Sequence, residues 1–525
     1  MSLDLAREAI KVNKVVNGKA TQIIVENDII VPDSKPDAVK ILAADAEAYT
    51  TSADVSAVDE SIFIKGIMRY KILYKPDDSE ANIKSINTSI PFSHKMEISG
   101  IDKDAKCIIK NIVEHVECDI SNGRKINTKT IVQLNSRIMI EKEHFIVNDI
   151  NDSDDVQILR NSMQISNFVG NNEVIYTIKD SMEVPTGNPP IREILRNDVK
   201  IINKDLRLSD NKVALIGELN IVTLYIGDDQ ESSVRIMEHA IPFTQFADLQ
   251  GISEDADCDM DYEIRDYNFE LEEDNDGEYR IMSGEVEICA NILGSIKKDI
   301  NFIVDAYGIR SQLILDKKVI NLEEKVLENT SQIAVKDDIS TGDENPEISD
   351  IVNVFGKPVL SDYKVMEDKI EIEGFIVCNI IYFSTNSLEN IFCHQTNIPV
   401  KQTIDIKGIE SDSDCNIELF TEHVNYNMTS SKDAEVKFVV GVICKVYKSY
   451  GSNIIEKISE GSIDDNKSDD KRPNIIVYFV KPEDTFWEIA KKYRTTISEI
   501  LKVNDLEEDD AINTGMQMLI TRKSG

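Results

Sequence analysis

Five residues recur three times along this chain at fixed spacing: Gly66, Tyr74, Pro91, Gly100 and Cys107, then Gly217, Tyr225, Pro242, Gly251 and Cys258, then Gly374, Tyr382, Pro399, Gly408 and Cys415. The steps of 8, 17, 9 and 7 residues are identical in every copy. Four intervals held through three copies mean a tandem array of one domain type. At 525 residues the chain also exceeds what one hydrophobic core supports. A repeat of roughly 150 residues suits an ordinary domain.

The residues around the first framework glycine alternate. Ile62, Ile64, Gly66, Met68, Tyr70, Ile72 and Tyr74 share one face, as do Val213, Leu215, Gly217, Leu219, Ile221 and Tyr225. Ile370, Ile372, Gly374, Ile376, Cys378, Ile380 and Tyr382 repeat the pattern in the third copy. A period of two predicts strands, and the invariant glycine predicts a bulge or a close backbone approach. Each copy then has Ile-Pro, at Ile90-Pro91, Ile241-Pro242 and Ile398-Pro399. Proline cannot donate to a ladder, so it predicts a strand start or a sheet edge. Asn122-Gly123 and Asp276-Gly277 have the chemistry of tight hairpins. In the third copy Ser430 to Asp433 provide a longer turn. Upstream, Pro36, Pro190 and Pro346 each precede apolar residues, and the spacing fits either one helical turn or a further strand.

The expected fold is mainly β: three antiparallel β-sandwich-like repeats over 1–160, 161–315 and 316–450. Residues 451–474 are largely polar and charged and predict a flexible linker. A small α/β module is expected at 475–525.

Net charge is −37. A surface this acidic repels phosphate backbones and anionic headgroups and attracts basic protein surfaces, so nucleic acid is excluded as a partner. The N-terminal residues have no apolar core followed by a cleavage site, and no apolar run is long enough to span a bilayer. Eight cysteines, none spaced as CxxC, read as buried thiols of a reducing compartment. The run Glu272 to Gly277 resembles the start of a calcium loop, but its twelfth position is Ser283 where a bidentate Glu is needed. His394 beside Cys393 on a strand would point to the opposite face, so the two cannot form a nucleophile and base. No phosphate-binding or nucleophile-elbow motif is present. The expectation is a non-enzyme with no catalytic residues, no cofactor and no metal.

The C-terminal segment parses as strand–helix–helix–strand. Ile476 to Val480 predict a strand; Thr485 with Glu488 and Thr496 with Glu499 are capping boxes opening two helices. Phe486, Ile489, Ala490 and Tyr493 make one apolar helical face, Asn504 can end the second helix, and Met516 to Ile520 predict the closing strand. Trp487, the chain's one tryptophan, lies off that face and is expected half exposed at its rim, as contact anchor or core cover.

Tyr478, Val480, Asp484-Thr485, Phe486, Trp487, Ile489-Ala490, Tyr493, Thr495-Thr496, Ile500, Asn504, Leu506, Ile512, Gly515, Met518 and Ile520 resemble the LysM module, which commonly binds N-acetylglucosamine polymers. Glu483 stands where the module usually has glycine, and Thr521 where a closing proline is common. The loops at the family's glycan groove carry Glu483, Asp484, Asp505, Glu507, Glu508, Asp509 and Asp510 here, a crowd that favours a basic protein patch. The three runs IPFSHKMEISGI, IPFTQFADLQGI and IPVKQTIDIKGI resemble SPOCS domains of spore-coat morphogenetic proteins. Tandem SPOCS repeats ending in one LysM resemble the SipL-like family of clostridia. That resemblance implies an adaptor in the mother-cell cytoplasm, at the outer forespore surface, binding a SpoIVA-like coat ATPase and other coat proteins. It leaves self-association open. The binding residues expected on the module are Trp487, Ile475, Tyr478 and Lys481. The other reading is a cell-wall protein binding peptidoglycan.

Overall fold

The computed structural model describes residues 3–16, 20–78, 83–103, 105–151, 155–230, 233–384, 391–461, 475–507 and 510–521. The first repeat contains β1 (Asp4–Val16), β2 (Ala20–Ile30), β3 (Ala38–Ser56), β4 (Ser61–Pro76), β5 (Lys84–Glu97), β6 (Lys106–Asn122) and β7 (Lys125–Asn151). The second contains β8 (Val156–Glu183), β9 (Ile191–Ser209), β10 (Lys212–Gly227), β11 (Val234–Asp248), β12 (Asp257–Glu273) and β13 (Tyr279–Gly308). The third contains β14 (Gln312–Ser340), β15 (Asp350–Met366), β16 (Lys369–Phe383), β17 (Ile391–Asp405), β18 (Asp414–Met428) and β19 (Asp433–Gly461). In each, the long last strand lies between the first strand and the penultimate one, as in β8–β13–β12. The three middle strands form a second sheet, as in β9–β10–β11. In the first repeat β1 and β2 together play the part of β8. Every pairing is antiparallel, and the two sheets of a repeat enclose its core, a single cluster in the first and third repeats and two clusters in the second, so the expected mainly-β sandwich is what forms. The element after each upstream proline is a strand.

The repeated framework now has physical reasons. Tyr74, Tyr225 and Tyr382 are fully buried, and their hydroxyls donate to the carbonyls of Pro36, Pro189 and Pro346 at 3.0, 3.5 and 3.4 Å. Pro91, Pro242 and Pro399 lie inside β5, β11 and β17, each an edge strand, where a missing N–H leaves no ladder bond broken. A Cβ on Gly66 or Gly217 would meet the ring of Phe92 or Phe243 at 2.4 and 2.5 Å, and one on Gly374 would meet the Val359 carbonyl oxygen at 2.2 Å. Gly100, Gly251 and Gly408 have φ of 76°, 84° and 92°, a region that favours glycine. Gly251 and Gly408 donate their N–H to Asn211 and Asp368 at 2.7 Å, residues that turn the preceding hairpin.

The long strands extend beyond their sandwiches, and there the three repeats meet. Equivalent residues Ile146, Phe302 and Ile454 join Ile10, Ile165 and Ile320 in one cluster, and Val147, Ile303 and Ile455 join a second. At another junction Leu73, Leu224 and Ile381, again equivalent, pack together. The array is thus a pseudo-threefold assembly within one chain. Buried charges also cross its seams. Asp259 of the second repeat accepts from Lys445 at 2.6 Å and from Tyr447 at 3.2 Å, both of the third, and pairs with Arg137 of the first at 3.5 Å.

This extension shifts the limits read from composition. β8 starts at Val156 and β14 at Gln312, and β19 runs on through Gly461. Residues 451–461 are therefore strand, not linker: Ile454, Ile455 and Ile458 are buried between repeats, and that burial outweighs the polar residues beside them. Residues 462–474 of the expected linker lie outside the described residues.

Candidate partner-binding site

The terminal module folds as β20 (Ile475–Phe479), α1 (Phe486–Tyr493), α2 (Ile497–Val503) and β21 (Gln517–Thr521), with β20 antiparallel to β21. Both helices begin at the predicted N-cap threonines. Thr485 Oγ1 accepts from the Glu488 N–H at 3.2 Å, and Thr496 Oγ1 from the Glu499 N–H at 3.1 Å. Ile489, Ala490, Ile500, Met518 and Ile520 form the core with Tyr478 and Val480. Asn504 caps α2 and also ties it to the sheet: its amide donates to the Leu519 carbonyl and its oxygen accepts from the Leu519 N–H, both at 2.7 Å. Glu483, at the usual glycine position, has φ of 69°, which explains why glycine suits that turn.

The four residues expected at the binding face do not share one surface. Tyr478 points inward and is 8% exposed. Its hydroxyl donates to Asp484 at 2.7 Å, a bond that pushes the phenol pKa up to about 12. The Lys481 backbone N–H donates to the same carboxylate at 2.7 Å, while the residue itself is exposed. That backbone bond, with the tyrosine, holds the Asp484 carboxyl below the usual carboxylate range. Ile475 lies on the outer sheet face with Val477 and Phe479, exposed by 61%, 54% and 55%, and with Leu519 opposite Val477. Of the acidic loop, Asp510 accepts from the Glu507 N–H, while Glu508 and Asp509 lie outside the described residues.

Trp487 is half-buried, but its neighbours come from the array. Its Nε1–H donates to Asp305 on β13 at 2.8 Å, and its ring meets the Tyr307 ring edge-on at 4.9 Å between centroids. Lys491, one turn further along α1, reaches the two oxygens of Asp305 at 2.6 and 2.7 Å. The Tyr307 hydroxyl donates to the Thr495 carbonyl at 2.7 Å. Burial opposes charge on Asp305, yet the hydrogen bonds from Lys491 and Trp487 prevail and hold its carboxyl below the ordinary value. Sequence reading missed Asp305 and Tyr307. The signal lay in comparing repeats: their equivalents are Asp149 and Asn151 in the first, Lys457 and Ser459 in the third.

No group of acids, histidines and cysteines able to hold a metal occurs among the described residues, and the eight cysteines are free thiols. No described helix is long and apolar enough to cross a membrane. The family model described as SipL, SPOCS domain matches residues 37–121, 190–272 and 347–429, and the LysM domain model matches 478–521. Each SPOCS match begins just before the first strand of a middle sheet and ends within or just after the penultimate strand of its repeat, so the long paired strands fall largely outside it. No curated protein and no solved structure matches the chain.

Proposed function

The chain is a SipL-like protein, three SPOCS domains followed by a LysM domain, and from that premise we propose that it is a non-enzymatic adaptor of spore-coat assembly. In this reading it works in the mother-cell cytoplasm at the outer forespore surface. Its LysM module binds a SpoIVA-like coat ATPase, and its SPOCS array offers surfaces to other coat proteins. The observation that carries the reading is the outer face of the β20–β21 sheet. Ile475, Val477, Phe479 and Leu519 are each more than 40% exposed side by side, on a chain of net charge −37. An exposed apolar patch of this kind marks a protein contact. Lys481 stands exposed at its margin, and Tyr478 behind the sheet fixes the turn through Asp484.

The test is co-purification of the full chain with the coat ATPase, beside a pull-down on purified peptidoglycan. Ile475→Glu should weaken ATPase binding by about 2 kcal/mol if the residue is a hot spot. Its exposure predicts that the module stays folded. Retention on peptidoglycan without ATPase binding would replace the adaptor reading with the cell-wall one.

A further inference from the structure

We propose that the second SPOCS repeat carries a docking site for the LysM module, made by Asp305 and Tyr307, and that this dock is a latch withholding Trp487 from the module's partner. The withholding role rests on the expectation from the sequence that Trp487 contacts the partner in addition to the Ile475 sheet face; the dock itself does not.

Three observations carry the proposal. The first is convergence. One carboxylate takes the indole N–H and the Lys491 ammonium, while one tyrosine packs on the indole and donates to the backbone where α1 ends. Tyr307 is 6% exposed and belongs to the module's own core cluster, although it lies on β13. The second is asymmetry. A bulge skips Asn148, Val304 and Glu456 at the same place in the three long strands, so Asp149, Asp305 and Lys457 are equivalent. Only the second repeat has both the acid and an aromatic two residues later. In the first, Asp149 is already paired with Arg160 at 2.6 Å, and Asn151 stands in place of the tyrosine. In the third, Lys457 would repel Lys491. The array thus presents three equivalent ribbons and one receptor.

The third observation is scale. The dock is small: an ion pair whose lysine is 42% exposed and whose acid is 16% exposed, two further hydrogen bonds and one aromatic pair, with Lys317 a further cation 3.7 Å from Asp305. Exposed ion pairs contribute modestly and weaken with salt. Because the module is tethered to its receptor, even a weak contact stays populated. Such a contact can hold Trp487 and still yield to a partner that grips the indole.

Trp487 is the chain's one tryptophan, so its fluorescence reports the dock directly. Acrylamide quenching would be compared in the full-length protein and in Asp305→Ala, which leaves the module unchanged; Lys491→Glu breaks the dock from the other side. Both variants should quench more readily than the parent. Equal quenching in all three proteins overturns the dock. Affinity for the coat ATPase is then measured with Asp305→Ala. If the module is docked about nine-tenths of the time, release tightens apparent binding about tenfold. Freer quenching with unchanged ATPase affinity overturns the latch. If neither protein binds the ATPase, the adaptor reading and the withholding role fall together, while a quenching difference still upholds the dock.

Discussion

Replacing Asp198 with alanine should loosen the seam between the first two repeats, and the size of the effect can be worked from its neighbours. Asp198 accepts from Lys71 at 2.9 Å and from the Arg196 Nε at 2.8 Å. Arg196 also pairs with Asp45 at 2.8 Å and lies over the Phe355 ring of the third repeat at 4.3 Å, and Lys71 also pairs with Glu47. The side chains of Lys71 and Arg196 are 3% and 7% exposed, so neither cation can recover water if its partner goes. Breaking a buried pair from one side costs about 3–5 kcal/mol. Each cation keeps one other carboxylate here, which places the expected loss near the lower end, about 3 kcal/mol. For a unit of one to two repeats that is a fall in Tm of about 6–12 °C, read by thermal denaturation. Burial opposes the charge of Asp45 and Asp198, but the facing cations prevail and hold both carboxyls below the ordinary value of 3.8. The stability they add is therefore complete above that value and is lost as pH falls through their folded values. The alanine variant should accordingly lose less stability than the parent on acidification below pH 3.8. A loss under about 1 kcal/mol, the size of a surface pair, would refute the account of this seam as a desolvated charge cluster.

Glu263 should show the opposite pH dependence. Burial pushes its pKa up to about 7, against the pull of Arg265 and the Thr50 N–H across the seam. Between 4.5 and 7 the folded chain keeps a proton the unfolded chain gives up, so stability falls as pH rises through that window. Glu263→Gln should remove the slope and stabilise the protein at pH 8 by up to about 3 kcal/mol, at roughly 1.4 kcal/mol per pH unit, measured by denaturation across pH. In the LysM module Glu483→Gly should stabilise by about 1 kcal/mol, because φ of 69° is strained for a residue with a Cβ; chemical denaturation of the module's transition checks it.

The sandwich was legible because its signals are local. Alternation around Gly66, Gly217 and Gly374 fixes which side chains face inward. The tight-hairpin expectation held only in part: Gly277 has φ of 78°, but Asp276, Asn122 and Gly123 do not take positive φ, and five residues, Asp274 to Glu278, join β12 to β13. The capping boxes at Thr485 and Thr496 placed both module helices within a residue. The upstream element was ambiguous because proline followed by a few apolar residues suits two backbones. The extent of β19 escaped because Ile454, Ile455 and Ile458 sit among charged residues, and their burial needs two other repeats to exist.

The sequence by itself determined the repeated domain, its alternating central strands and the terminal module, since each depends on patterns among residues near one another in the chain. The tertiary structure alone decided how the three copies close on one another and which charges share a seam. Lys71 and Asp198 are 127 residues apart, and Trp487 and Asp305 are 182, distances over which no spacing rule operates. It also decided that the indole expected at the surface leans on the second repeat. An aromatic at the rim of a small core is covered by whatever surface the folded array brings to it, and only β13 presents an acid and a tyrosine there.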